Sequence, residues 1–298
     1  MGEDAPDRPA LAAREKALLD EHAKRWAAPL EGLIYEPRFR RGFVESAEVG
    51  GETPFAKELT RAVALAPIRS LTISAQFVNG RHLHAAAPAM ARLRRLQFSY
   101  PNFTPGANKA ETFFGRPELR RLTALFVMGD RNGSGSTGEI AHAVVASPAL
   151  ANLTELTLIQ DFRGLSCSVI RELAGSPQMG RLERLSLEQS RIDAETMRAL
   201  SNSLHLKGLK ELELGDCGLD EAGWEALLTS PRFASLSRMH LANAPVYGPH
   251  GGIAAYVGKP RFDNPPPPAV EAFRPQLLSR FGPEVLDFES DSYCRWRE

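Results

Sequence analysis

The chain has 298 residues, 43% apolar and 24% charged, and its 36 basic side chains balance 36 acidic ones. That apolar content can fill a sizeable core, so wholesale disorder is excluded, and a zero net charge gives no global pull toward nucleic acid or an anionic membrane. No run approaches the ~18 uninterrupted apolar residues of a membrane helix. The charged opening MGEDAPDRPALAAREK lacks the apolar stretch of a secretory leader. The three cysteines, Cys167, Cys217 and Cys294, lie far apart with no CxxC pair, which suits free thiols in a reducing, cytoplasmic compartment.

In chain order, residues 10–26 are predicted as a helix carrying Leu11, Leu18, Leu19, His22 and Trp26 largely on one side. With Leu33, Ile34, Phe39 and Phe43 it forms an N-terminal cap over residues 1–43. A repeat follows over residues 44–258. The spacing L-x-x-L-x-L occurs at Leu153/Leu156/Leu158, Leu182/Leu185/Leu187, Leu209/Leu212/Leu214 and Leu236/Met239/Leu241. Upstream it recurs at Leu122/Leu125/Val127, Leu93/Leu96/Phe98 and Ile68/Leu71/Ile73, with Val44/Ala47/Val49 as a less regular eighth. Successive starts are 24 to 31 residues apart. Within a unit the triplet alternates with the period of a strand. The half that follows changes to helical spacing, as in Met197/Leu200/Leu204 after Asp193 and Trp224/Leu227/Leu228 after Asp220, with both aspartates placed as N-caps. Neither face of such a unit can be buried alone. Stacking resolves this, with a parallel sheet inside an arc and helices outside: an α/β solenoid, or horseshoe. The Pro-rich stretch KPRFDNPPPPAVEAFRP then joins a C-terminal cap and tail over residues 259–298, built on Phe273, Leu277, Leu278 and Phe281.

The segment LKELELGDCGLDEAGWEALLTSP resembles the ribonuclease-inhibitor-like class of leucine-rich repeats almost position by position, with Cys217 where that class uses Asn or Cys, then Leu219 and Gly223. Other units place Asp161, Ser190 and Ala244 at the Asn/Cys position. The junctions ASPALANL and LTSPRFASL, FRRGFVESAEV before the repeats and LLSRFG after them are similar to bacterial proteins that carry a repeat-companion domain, although no companion domain is recognisable here. The resemblance implies a protein-binding role and no reaction.

Catalytic and metal patterns are thin. The loop GDRNGSGSTG (129–138) lacks the Lys and the glycine spacing of a phosphate loop, and is predicted as an enlarged strand-to-helix connection with Ser136 and Glu139 as a capping box. His82 and His84 have no nearby carboxylate or cysteine to complete a metal set. Cys167 begins a helix near Arg163 and Arg171 but has no adjacent histidine. We therefore expect no catalytic residues, no metal, no cofactor and no enzymatic activity.

If the triplets point inward, the residues between and after them line the concave sheet. They form an apolar centre of Phe126, Met128 and Ile159 with a charged rim of Arg95, Arg184, Glu188, Glu211 and Glu213, the composition of a protein-binding patch. The chain's own loop 129–138 or its C-terminal segment could instead cover the apolar group. The expected function is a non-enzymatic scaffold holding a partner protein on the concave face. The alternative is a substrate of a bacterial protease or kinase, cut at Arg131 in the glycine-serine loop. Neither nucleic acid nor a membrane is an expected partner, since the sequence shows no continuous basic stripe. The oligomeric state is left open.

Overall fold

The computed structural model describes residues 8–50, 55–74, 79–99, 103, 109–128, 136–159, 165–188, 190–215, 217–241, 244–247, 253–257 and 273–287. Helix α1 (Arg8–Ala27) leads into a hairpin of β1 (Tyr35–Arg40) and β2 (Phe43–Gly50). Helix and strand then alternate: α2 (Phe55–Leu65), β3 (Ser70–Ser74), α3 (Gly80–Ala86), β4 (Arg95–Ser99), α4 (Ala110–Phe114), β5 (Ala124–Met128), α5 (Ser136–Ala146) and β6 (Glu155–Ile159). The rear units are α6 (Cys167–Gly175), β7 (Arg184–Ser186), β8 (Arg191–Ile192), α7 (Ala194–Ser201), β9 (Glu211–Glu213), β10 (Gly218–Asp220), α8 (Glu221–Thr229) and β11 (Arg238–His240). A hairpin of β12 (Ala244–Tyr247) and β13 (Ile253–Val257), helix α9 (Phe273–Phe281) and β14 (Leu286–Asp287) complete the described chain.

Ten strands form one sheet in the order β1-β2-β3-β4-β5-β6-β7-β9-β11-β14, parallel throughout except at the β1–β2 hairpin. The register carries the repeat directly. Ala47, Leu71, Leu96, Leu125, Leu156, Leu185, Leu212 and Met239 pair strand to strand, and Leu286 continues the ladder. Every triplet residue is buried, the less regular Val44, Ala47 and Val49 included. At about 4.8 Å between strands, identical positions stack into continuous apolar columns.

From α3 to α8 each helix leads into the next main-sheet strand through a short 3-10 turn, and three of these turns begin at the Pro of a Ser-Pro or Arg-Pro pair, where a fixed φ suits the first helical position. The serines form a second ladder on the helical side. The hydroxyls of buried Ser147, Ser176 and Ser203 donate to the Phe114, Val145 and Ala174 carbonyls of the preceding unit, at 2.7, 2.7 and 2.5 Å. Ser176 and Ser203 also accept N–H groups of the turns they open. They thereby satisfy polar backbone that close stacking takes out of water.

Where a helix is too short to fill its layer, side-chain bulk substitutes. Helix α4 has five residues. Phe113 and Phe114 on it meet Phe98 of β4 and Phe103, with ring centroids 5.1 to 6.1 Å apart.

The ends are closed differently. At the front, Arg41 (φ 54°) and Gly42 (φ 79°) make the tight β1–β2 turn, and the Arg41 N–H donates to Glu15 Oε1 on α1 at 2.9 Å. At the rear, Phe273 of α9 stacks on the buried Trp224 (5.9 Å, 27°), while Arg280 donates to the Leu228 and Ser230 carbonyls ending α8. Gly282 (φ 83°) follows α9 and its N–H donates to the Leu278 carbonyl, the left-handed position that ends many helices.

Two features differ from the sequence-based expectation. The rear units carry a second sheet, β8, β10 and β12 in parallel with β13 antiparallel, so Ile192 and Leu219 belong to strands rather than to simple turns. The two-residue β14 extends the main sheet past the last triplet. Strands of two to five residues leave too few alternations for a period to register in sequence.

Candidate functional site

The concave face consists of three rows fixed by the register. The first runs Ser46, Ser70, Arg95, Ala124, Glu155, Arg184, Glu211, Arg238. The second runs Glu48, Thr72, Gln97, Phe126, Thr157, Ser186, Glu213, His240. The third includes Met128 beside Ile159.

The first row is an alternating ion-pair chain. Arg95 Nη2 donates to Glu155 Oε1 at 3.2 Å, reaching across the strand that carries the buried Ala124, whose single methyl leaves the path clear. Glu155 Oε2 lies 3.6 Å from Arg184 Nη1. Arg184 in turn grips Glu211 with two parallel bonds, Nε to Oε2 at 2.9 Å and Nη2 to Oε1 at 3.0 Å. Those bonds hold the Arg184 guanidinium above its ordinary pKa against partial burial, and the charges of Glu211, Glu155 and Glu213 add to the effect. Of the sequence-predicted rim, Arg95, Arg184 and Glu211 are thus brought together, through Glu155, into one continuous network.

The apolar centre is placed otherwise. Phe126 and Ile159 lie on the concave side of the sheet but are only 4% and 3% exposed, and Met128 is half-buried. Exposed apolar surface at Phe126 and Ile159 is therefore not what the fold presents. Glu188 (7% exposed) and His240 (2%) are also buried, with His240 Nδ1 4.0 Å from Glu188 Oε1, and Glu213 is half-buried nearby. Ser186, in the same row as Glu213 and His240, is fully buried, and its hydroxyl has no hydrogen-bond partner among the described residues. Sequence reading placed Glu188 on an open rim and did not foresee that Ser186, Glu188 and His240 are all buried. The register puts Ser186 and His240 in the second row, but burial depends on what packs above the sheet. Arg131 and the rest of 129–135 lie outside the described residues, as do Arg163 and Cys294.

The remaining chemical candidates are accounted for locally. Buried Cys217 donates its thiol to the Leu187 carbonyl of the preceding unit at 2.8 Å. Ser190, at the equivalent position one unit earlier, accepts the Leu165 N–H at 3.3 Å. Cys167 opens α6 behind Ser166, which caps the helix by accepting the Val169 N–H. Arg171 faces Asp193 and Glu195 at 3.6 Å and donates to the Thr196 hydroxyl, so its charge is directed to that cluster. Burial pulls the Asp193 pKa up, but the Thr196 hydroxyl, the Thr196 N–H, the Cys167 thiol and Arg171 outweigh it and leave it lowered. His82 and His84 stand on α3, with His84 edge-on to Phe113 at 5.8 Å. Among the described residues no group of three or more His, Cys, Asp or Glu is arranged to hold a metal ion. No helix among them is long and apolar enough to cross a membrane.

A ladder of parallel strands in register at a 24- to 31-residue period, with helices all on one side, decides the architecture. The chain is a leucine-rich-repeat solenoid. Neither a known protein-family profile nor a curated protein sequence matches it. Among solved structures, a structural-genomics target from Bacteroides fragilis superposes with a TM-score of 0.56 at 14% identity, covering 90% of this chain and 71% of its own. An internalin from Listeria monocytogenes matches 78% of this solenoid and 51% of its own length, with a TM-score of 0.39 and 14% identity. A chain of the yeast Rad7–Elc1 complex matches 78% and 71%, with a TM-score of 0.37 and 14% identity. At these identities the likeness is one of fold.

Proposed function

We propose that this solenoid is a non-enzymatic recognition scaffold that holds a partner protein on its concave face. The carrying observation is the Arg95–Glu155–Arg184–Glu211 chain. Long charged side chains normally lose rotamer freedom on binding, and here mutual pairing has already restricted them. Partly exposed beside them stand Thr72, Gln97, Thr157 and Glu213, short or medium polar groups suited to hydrogen-bonding a partner's backbone. The thiol of Cys217 and the hydroxyl of Ser190, each bonded to the unit before it, support a ribonuclease-inhibitor-like subclass. The zero net charge favours a protein over nucleic acid as the concave-face partner.

Burial decides which substitution tests this. Phe126→Asp would place a charge in a buried site and unfold the unit, so half-buried Met128→Asp and Thr157→Arg are the appropriate probes. Affinity capture from the native cell, quantified by mass spectrometry, is expected to enrich a protein with the wild type and lose it with both variants, with Tm shifted by no more than a few degrees. Exposed Arg198→Glu on helix α7 should leave capture intact. Capture indifferent to both concave substitutions would refute the assignment.

A further inference from the structure

We propose that the edge of the solenoid formed by the turns entering β3, β4 and β5 docks an acidic segment of a protein. This surface is distinct from the concave face and does not depend on the reading given to that face. Arg69, Arg92, Arg94, Arg120 and Arg121 are all exposed there. They are separated in sequence by up to 52 positions but come from consecutive turns. The Arg94 N–H donates to the Arg69 carbonyl at 2.7 Å and the Thr123 N–H to the Arg94 carbonyl at 2.8 Å, which sets the turns one strand spacing apart. The Arg94 guanidinium donates to the Arg121 carbonyl at 3.4 Å, and Asn152 to the Arg120 carbonyl at 2.9 Å, so the edge is continuous.

Its charge is not neutralised locally. Among the described residues none of the five arginines pairs with a carboxylate, and nearby Glu118 is taken by Arg116 at 2.7 Å. The 3-10 turns ending at Arg92 and Arg121 give those two a modest reason to be basic, since a cation suits the carbonyl end of a helix. That reason does not extend to Arg69 or Arg94, which lie in the lead-in to the strands.

The choice of an acidic protein segment rests on pitch and extent. Successive turns are about 4.8 Å apart, close to the ~5–6 Å between the Cβ atoms of residues three or four apart on a helix, from which acidic side chains can reach them. Arginine's planar fork binds carboxylates in two-bond fashion. Along the same edge Glu45 stands before Arg69, and Glu183, paired with Lys210 at 2.8 Å, stands beyond Thr154. Glu45 thus bounds the patch at the β2 end, where a longer nucleic-acid backbone would run onto like charge, while Glu183 at the other end is itself neutralised by Lys210. Among the described residues between Arg69 and Arg121 no exposed aromatic side chain interleaves the arginines to stack on bases.

The test is fluorescence anisotropy with a labelled oligoglutamate peptide and a single-stranded oligonucleotide of equal nominal charge, at low and at physiological salt. The peptide is expected to bind the wild type and to bind Arg92→Glu/Arg121→Glu about tenfold or more weakly. The same charge change at exposed positions elsewhere, Arg25→Glu/Arg198→Glu, should weaken it less than twofold. Arg92→Ala/Arg121→Ala provides a milder variant, and circular dichroism checks that each variant is folded. Failure of the peptide to bind, or equal weakening by the distant pair, overturns the proposal. Tighter binding of the oligonucleotide that is lost in the edge variant also overturns it, in favour of a nucleic-acid surface.

Discussion

Cys217 illustrates how one side chain serves the stack. It occupies a position where a small group with a donor must sit against the preceding unit, and its thiol meets the Leu187 carbonyl in a fully buried environment. Removing the donor leaves that carbonyl without its partner, which costs about 1–3 kcal/mol in a buried setting. Cys217→Ala is therefore expected to lower stability by that amount in urea titration, and Cys217→Ser, which keeps a donor, by less. The position was legible in sequence from its offset of three after Leu214. The serine ladder had a sequence signal too, since Ser147, Ser176, Ser203 and Ser230 recur 29, 27 and 27 residues apart in step with the leucines. Its role was hidden because a serine ahead of a turn also suits a simple cap.

Among the elements, helix α7 is the most fully specified. Asp193 precedes it, accepts the Thr196 N–H at 2.7 Å, and presents Met197 and Leu200 to the core. Loss of such a cap typically costs about 1 kcal/mol, so Asp193→Ala is expected to destabilise by roughly that much, and Asp193→Asn by less. The folded-state pKa of Asp193 is lowered, so its charge stabilises the fold above the unfolded value near 3.8. That contribution is lost as pH falls through the folded value. Melting curves of wild type and Asp193→Asn should accordingly differ most at neutral pH and converge in strong acid. Convergence on raising the pH would contradict the assignment. The edge strand β1 shows local chemistry working against association. Pro37 lacks an N–H, Glu36 has φ 45°, and register shifts interrupt its pairing, which together make a poor template for another strand.

For the whole molecule, stability comes from nearest-neighbour stacking, so the ends are where the stack should open first. The rear closure rests on Phe273 against Trp224, Leu277 in the core and Arg280 over the carbonyls of α8. Phe273→Ala, at a half-buried site, is expected to cost about 2 kcal/mol. In hydrogen exchange it should deprotect β11 and β14 before β4 to β6. Uniform loss of protection would mean that the solenoid unfolds as one unit. The basic edge also belongs to this scale. Its arginines fall at scattered positions in a chain of zero net charge, and only the register of three turns gathers them.

The leucine spacing by itself determined the strand-and-helix unit, its direction of burial and the parallel stacking, because a period of two followed by one of 3.6 leaves a single way to bury both faces. It also identified which side chains point to the concave side. Tertiary structure alone decided how much of that side is open: Phe126 and Ile159 face it yet are buried, while Arg95 spans two strands to reach Glu155. It also decided the added strands β8, β10, β12, β13 and β14, and the charge of the edge. The physical reason is that periodicity encodes what a segment must hide from water. Exposure and electrostatic pairing depend on which distant segments are brought within a few ångströms, and no local pattern carries that information.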